Sequence, residues 1–365
     1  MSRAAPLGLS LAPKTLTERG IAAAVLVLAL AGPAVFNDFW VSTILTQTFV
    51  FGVVALSLIF LYAYGGMISL AQTALMGICG YLLGNMVTQR IPGGETKGLT
   101  LGWDPTLALV LAVLGTTLIG LVFGAVASRS LGIYFLMLTL TYAVIANYFF
   151  GQVTQFGGFS PIAGINQYTP GFVGEIVGHP DKLYYIALGT ALAAYALLRY
   201  LVRTPFGLAL QGIRDDPVRM ASLGYNVPLH RALAFGFAAF VAALGGVLLV
   251  WWDGQIAPGN IGIGATIELL VMCVIGGLAR IEGAFVGAFA FILINNYVRD
   301  VELPLVGGSF NTIIGLIFLV IVVVSPDGLM GLWDRLWRSL GRRGGGTTDV
   351  ATVARPVTPE KAGAS

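Results

Sequence analysis

Long apolar runs separated by short polar segments dominate this chain. They fall at roughly 20–36, 43–64, 67–87, 106–127, 131–150, 183–202, 231–252, 263–279, 284–298 and 311–324. About 20 apolar residues cross the hydrocarbon of a bilayer as a helix, and a helix satisfies its backbone polar groups without water. The pattern therefore predicts an all-α fold: a polytopic membrane bundle of about ten transmembrane helices. It also divides the chain into a tail (1–19), a transmembrane domain (20–330) and a second tail (331–365).

One long segment breaks the apolar pattern with dense polar and charged residues: RTPFGLALQGIRDDPVRMASLGYNVPLHR, from Arg203 to Arg231. Thr204 ahead of Pro205 is a helix-start signature, and Asp216 ahead of Pro217 repeats it. Gly224 is placed to end the second helix, after Leu223, and Asn226-Val227-Pro228 leads into the next run. Phe206, Leu210 and Ile213 fall at helical spacing and predict an apolar stripe on the first helix, offered to a groove in a partner. Arg214, Asp215 and Asp216 form the turn between the two helices. Spacing alone leaves two readings open, a docking element for a soluble partner or an ordinary solvated loop with interfacial helices.

Composition agrees with the membrane assignment: 57% of residues are hydrophobic and 10% charged, against about 25% charged in a soluble domain. Charge placement then orients the chain. With the N-terminus inside, only Arg90, Lys97, Lys182 and Arg299 of the 20 Lys and Arg lie outside, leaving 16 within. That asymmetry puts both termini and the 203–231 loop in the cytoplasm. The 151–182 loop faces out, and its Gly, Pro and aromatic content predicts a folded lid or partner surface. Lys14 and Arg19 before a short apolar run resemble a signal peptide, but the run continues through Phe36 and Trp40 without a clean cleavage site, so retention is expected. The tail from Gly341 to Ser365 is expected to be disordered.

Within the spans, Gly80/Gly84, Gly120/Gly124 and Gly283/Gly287 are small pairs four apart that favour close helix packing. Gly65-Gly66 followed by Ser69, Gln72 and Thr73 brings polar residues into a span just after a flexible break, and these five are expected at a translocation pathway or gate. Gly262, Gly264 and Thr266 precede Glu268 in the same way, and two breaks in spans five apart suggest an inverted repeat of two five-helix halves. Glu268 is the one carboxylate inside a span, where a charge costs about 2.5–3.5 kcal/mol. Three roles stay open for it: beside a transport path or gate, in a structural bond to a neighbouring helix, or at the outer interface.

Enzymatic constellations are missing from the sequence. His179 and His230 both lie in loops, Cys79 and Cys273 have no metal spacing, and no HExxH, GxSxG or GxxxxGK[ST] pattern occurs. If ATP drives this protein, another chain hydrolyses it.

Five segments in order resemble the permease subunits of branched-chain amino acid ABC importers, of the LivM type. They are YAYGGMISLAQTALMGICGYL (Tyr62–Leu82), LGIYFLMLTLTYA (Leu131–Ala143), the 203–231 loop, IELLVMCVIGGLARIEGAFVGA (Ile267–Ala288) and SPDGLMGL (Ser325–Leu332). The resemblance implies a bacterial inner-membrane importer subunit for branched-chain amino acids or a related small solute. It implies a second permease of the LivH type, two ATPase subunits that bind ATP and Mg, and an extracytoplasmic binding protein, with lipid around the spans and no nucleic acid. It identifies GLALQGIRDDPVRMASLGYNV with the family's ATPase-coupling segment. Phe159 and Pro161, and Gln72 where many relatives carry His, depart from the family pattern, so the fold carries over better than the substrate. Urea, short amides and other organic solutes stay open as cargo, and so does a secondary transporter or channel.

Overall fold

The computed structural model describes residues 27–89, 98–130, 132–171, 173–298, 315, 319 and 328–331. A short helix, α1 (Gly32–Val35), precedes a π-helical turn (Trp40–Leu45) that runs straight into α2 (Thr46–Gly65). Then come α3 (Gln72–Val87), α4 (Pro105–Ala127), α5 (Ile133–Gln152), α6 (Pro180–Arg203), α7 (Pro205–Asp215), α8 (Pro217–Ser222), α9 (Val227–Asp253), α10 (Ile263–Gly276) and α11 (Gly283–Val298). Among the described residues six helical stretches are long and apolar enough to cross a membrane: Trp40–Gly65, Pro105–Ala127, Ile133–Gln152, Pro180–Arg203, Val227–Asp253 and Pro258–Gly276. This is a helical membrane-protein fold. Of the expected span at 20–36 only residues 27–36 are described, and they hold the four-residue α1. The expected span at 311–324 lies outside the described residues except for 315 and 319, and helix order alone does not establish the expected repeat.

Burial sorts the helices into centre and rim. The apolar windows of the 40–65 stretch and of α9 are each 78% buried, that of α4 only 28%. α2 and α9 pack on each other at the centre; α3 and α4 also lie against α9, while α6 and α11 lie against α2. Exposed Leu107, Leu114, Leu118 and Val122 make α4 a rim helix with an apolar outer face, as lipid requires.

Two of the expected glycine pairs explain how close the helices come. Gly120 faces Ala239 and Gly124 faces Phe235, so α4 and α9 run antiparallel in near-backbone contact. Gly276 faces the backbone of Gly283 and Gly287, which closes the α10–α11 hairpin with no room for a side chain. The expectation of a purely helical chain needs one small amendment. Ile162–Ala163 (β1) pairs antiparallel with Gln255–Ile256 (β2), binding the 151–182 loop to the end of α9. Ile165 N–H donates to Gly254 O at 3.1 Å on the same seam.

Sequence reading placed a span at 67–87, yet α3 starts only at Gln72. Its 16 residues rise about 24 Å, short of the roughly 30 Å hydrocarbon core. Residues 66–71 are non-helical because Gly66 turns left-handed at φ 66° and ends α2 there; apolar composition alone does not reveal that stop.

Candidate coupling and gating site

The break between α2 and α3 is held by side chains that bond one another. Ser57 Oγ donates to Gln72 Oε1 at 2.9 Å, and Gln72 Nε2 donates to Ser69 Oγ at 3.3 Å. Leu70 N–H donates to Thr139 Oγ1 of α5 at 3.1 Å. Thr73 Oγ1 lies 2.7 Å from Thr266 Oγ1, joining α3 to α10. The two breaks expected from sequence therefore meet, near the first turns of the helices that follow them.

Ser69, Gln72 and Thr73 are almost fully buried. Sequence reading had them at a path or gate; within this chain their side chains bond one another in an internal joint. A hydroxyl or amide inside an apolar bundle needs such partners, because each unpaired group there costs on the order of 1–3 kcal/mol. Ser57 and Thr139 were not foreseen as parts of this joint, since each looks like a lone polar residue in an apolar run; Thr266 was marked as part of the second break, but its bond to Thr73 was not.

Glu268 behaves differently. It lies on the exposed face of α10 with Ile263, Gly264 and Ile267, and makes no hydrogen bond or ion pair among the described residues. The structural bond to a neighbouring helix, one of the three roles left open, is not formed among the described residues.

The 203–231 loop has the two helices that its capping signals predict. Thr204 Oγ1 accepts from Gly207 N–H at 3.4 Å. Asp216 Oδ1 accepts from Val218 N–H at 3.1 Å and Arg219 N–H at 2.9 Å, with Pro217 at the first helical position. Gly224 follows at φ 89°, and Asn226 Oδ1 caps α9 through Leu229 N–H at 3.1 Å.

The apolar stripe of α7 points the other way from expectation. Leu210 and Ile213 are completely buried, and α7 packs on α2, α6 and α9. Phe206 stacks on His230 with ring centres 5.7 Å apart and also meets Phe237. The periodicity was sufficient to find the stripe; what covers it is this chain's own bundle. Exposed instead are Leu208, Asp215, Asp216, Val218, Arg219, Leu223 and Tyr225.

A second polar cluster stands beside α7. Tyr195 OH donates to Glu282 Oε1 at 2.8 Å, and Arg199 Nη1 lies 4.0 Å from the same oxygen. It links α6 to the α10–α11 turn. Glu282 sits in the ARIEGAF stretch, yet its tie to α6 was not read from sequence, because the two partners are 87 residues apart. A cavity of about 240 Å³ lined by Ser42, Thr46, Asn166, Leu183, Trp251 and Trp252 lies at the opposite end of α2 from the break.

A sequence profile described as branched-chain amino acid transport system / permease component matches residues 40–324. The high-affinity branched-chain amino acid transport system permease protein LivH of Escherichia coli (strain K12) is 30% identical over 166 residues, 43% of this chain and 52% of that protein. The LivM permease of the same strain is 23% identical over 152 residues, 40% of this chain and 34% of that protein. The ribose import permease protein RbsC of Haemophilus influenzae is 21% identical over 318 residues, 84% of this chain and 90% of that protein. The chain thus spans about half the length of LivH and about a third of LivM. No solved structure matches it. The profile runs through the break, the two-helix loop and the α10–α11 hairpin, and the chain belongs to the permease components of branched-chain amino acid transport systems.

Proposed function

We propose that this chain is one membrane-spanning permease subunit of an ATP-driven importer for branched-chain amino acids or a related small solute. It works with a second permease, two ATPase subunits that bind ATP and Mg, and an extracytoplasmic binding protein, in a bacterial inner membrane. Both termini lie in the cytoplasm. No step of chemistry belongs to this chain; it forms a passage and couples it to hydrolysis elsewhere.

The observation that carries the reading is the build of the 203–231 loop. Its inner face, Phe206, Leu210 and Ile213, is packed into the bundle, so the loop moves with the helices beneath it. Its outer face presents the apolar groups Leu208, Val218, Leu223 and Tyr225 among Asp215, Asp216 and Arg219. Apolar anchors within a charged rim suit a protein partner, the anchors contributing most of the binding and the charges its register. Motion delivered there re-tilts α2, α6 and α9 as rigid bodies about the 66–71 break. Glu268 lines the passage or its contact with the second permease, since it has no partner among the described residues.

The test compares the two faces. Val218→Asp with Leu223→Asp leaves the permease inserted and thermally stable but releases the ATPase subunits on purification. Leu210→Ala destabilises the permease itself, by about 2–5 kcal/mol for a fully buried leucine, read as a lower thermal midpoint in detergent. If the Asp pair keeps the complex intact and importing, the loop is not the coupling element.

A sugar is the second substrate reading, favoured by the match to the ribose permease along 84% of this chain. The ligand bound by the associated binding protein decides between a sugar and an amino acid.

A further inference from the structure

Arg214 lies in the last turn of α7, yet its side chain turns back onto α2. Nη1 donates to the carbonyl of Ala63. That carbonyl is one of the last four of α2, which have no partner inside the helix. Tyr62 O is taken by Gly66 N–H at 3.0 Å, and Leu61 O by Met67 N–H at 3.1 Å. Arg214 thus satisfies one carbonyl that the chain reversal at Gly66 leaves open, and its charge favours the negative end of the helix.

The contact covers more than one bond. A Cβ at Gly66 would stand 2.7 Å from Arg214 Cγ, so the arginine stem lies directly across the residue where α2 stops. Two more of its donors meet the neighbouring carboxylate: Nε reaches Asp215 Oδ1 at 2.9 Å and Nη2 reaches it at 2.8 Å. One planar group therefore holds both α2's last turn and the residue that precedes the Asp216 hinge into α8. A lysine reaches one of these acceptors as a point charge, but cannot span both in a fixed plane.

On the far side of Gly66 the break runs without helix to Gln72, and the Thr73–Thr266 contact carries it to α10. We propose that Arg214 is a positioning residue that ties the two-helix loop to the 66–71 break, so that movement imposed on α8 reaches Ser69, Gln72 and Thr73 through it. The proposal rests on the reading of the loop as an ATPase-coupling element. It assigns Arg214 to transmission within this chain and not to docking.

The test uses the assembled importer with its ATPase subunits and binding protein in lipid vesicles. Arg214→Ala and Arg214→Gln retain the ATPase subunits, because the outer face of α8 is untouched. Solute imported per ATP hydrolysed falls about tenfold, the scale of one lost hydrogen bond to a charged group. Arg214→Lys recovers part of the loss. Ser69→Cys reports the break directly: its thiol-labelling rate changes with nucleotide in the parent background and is insensitive to nucleotide with Arg214→Ala.

Unchanged import per ATP together with nucleotide-sensitive labelling in both variants makes the arginine a cap of α2 and overturns the proposal. So does release of the ATPase subunits, which makes it a docking contact, and so does loss of folded protein in the Gln and Lys variants as well as in Ala. If Val218→Asp with Leu223→Asp fails to release the ATPases, the coupling reading falls instead, and it does so without involving Arg214.

Discussion

Thr73 and Thr266 illustrate how a small bond can be separated from a large effect. Thr266 Oγ1 also reaches Gly262 O at 3.2 Å, so Thr73→Val leaves it with an acceptor. Interhelical hydrogen bonds inside membranes average about 0.6 kcal/mol, so the variant's thermal stability stays close to the parent's. Import is expected to fall by clearly more than that small free energy allows, measured as uptake in vesicles beside thermal unfolding in detergent. A loss of uptake fully matched by loss of folded protein would make the pair structural. Glu268 is expected to behave in the same sense: Glu268→Gln and Glu268→Ala both insert with the parent's midpoint, because no partner among the described residues is lost, and both lower import. An Ala variant that fails to fold would show a structural role. At this scale the sequence marked Ser69, Gln72, Thr73 and Glu268 as unusual polar residues. It did not show that the first three bond inward while Glu268 faces outward, because those orientations depend on helices 69 to 193 residues away.

Helices report their ends in sequence far better than their surroundings. Thr204, Pro205, Asp216, Pro217, Gly224 and Asn226 each stand where local capping chemistry requires, and the structure has α7, α8 and the start of α9 there. Capping is settled within four residues, so it is legible. The direction of the Phe206, Leu210 and Ile213 stripe is a tertiary matter, and a 3.6-residue period is the same against a partner's groove as against one's own bundle. The stop of α2 at Gly66 was half legible: two glycines flagged it, but continued apolarity hid the six-residue gap before α3. Small-residue spacing was more informative, and it supports a stability prediction. Gly276 meets the backbone of Gly283 and Gly287, which has no flexible side chain to move aside. Gly276→Val is therefore expected to cost at least the roughly 1–3 kcal/mol of overpacking, seen as a lower midpoint for thermal unfolding. An unchanged midpoint would mean that the α10–α11 hairpin is looser than its geometry.

For the whole molecule, the proposed sidedness rests on charge, and the geometry shows which elements share a pole. Arg199, Arg203, Arg214, Arg219, Arg231 and Arg280 belong to loops or helix ends that the basic-residue asymmetry assigns to the cytoplasm. The end of α2, the end of α6, the α7–α8 pair and the α10–α11 turn gather at one pole, through Arg214 to Ala63 and Tyr195 to Glu282. The opposite pole gathers the start of α2, the 151–182 loop and the end of α9, through Trp252 Nε1 to Ser42 O at 2.9 Å and the β1–β2 ladder. Most cationic loops thus share a pole that the charge rule alone assigns to the inside. A Cys in place of the exposed Phe159 is therefore expected to react with an impermeant thiol reagent in intact cells. A Cys at Gly345 is expected to react only after the membrane is opened, both in a background with Cys79 and Cys273 replaced. If the two positions label from the same side, either the charge rule or the number of spans beyond α11 is wrong. Labelling of Phe159→Cys only after opening, with Gly345→Cys reactive outside, would invert the molecule and remove the two-helix loop from any cytoplasmic ATPase.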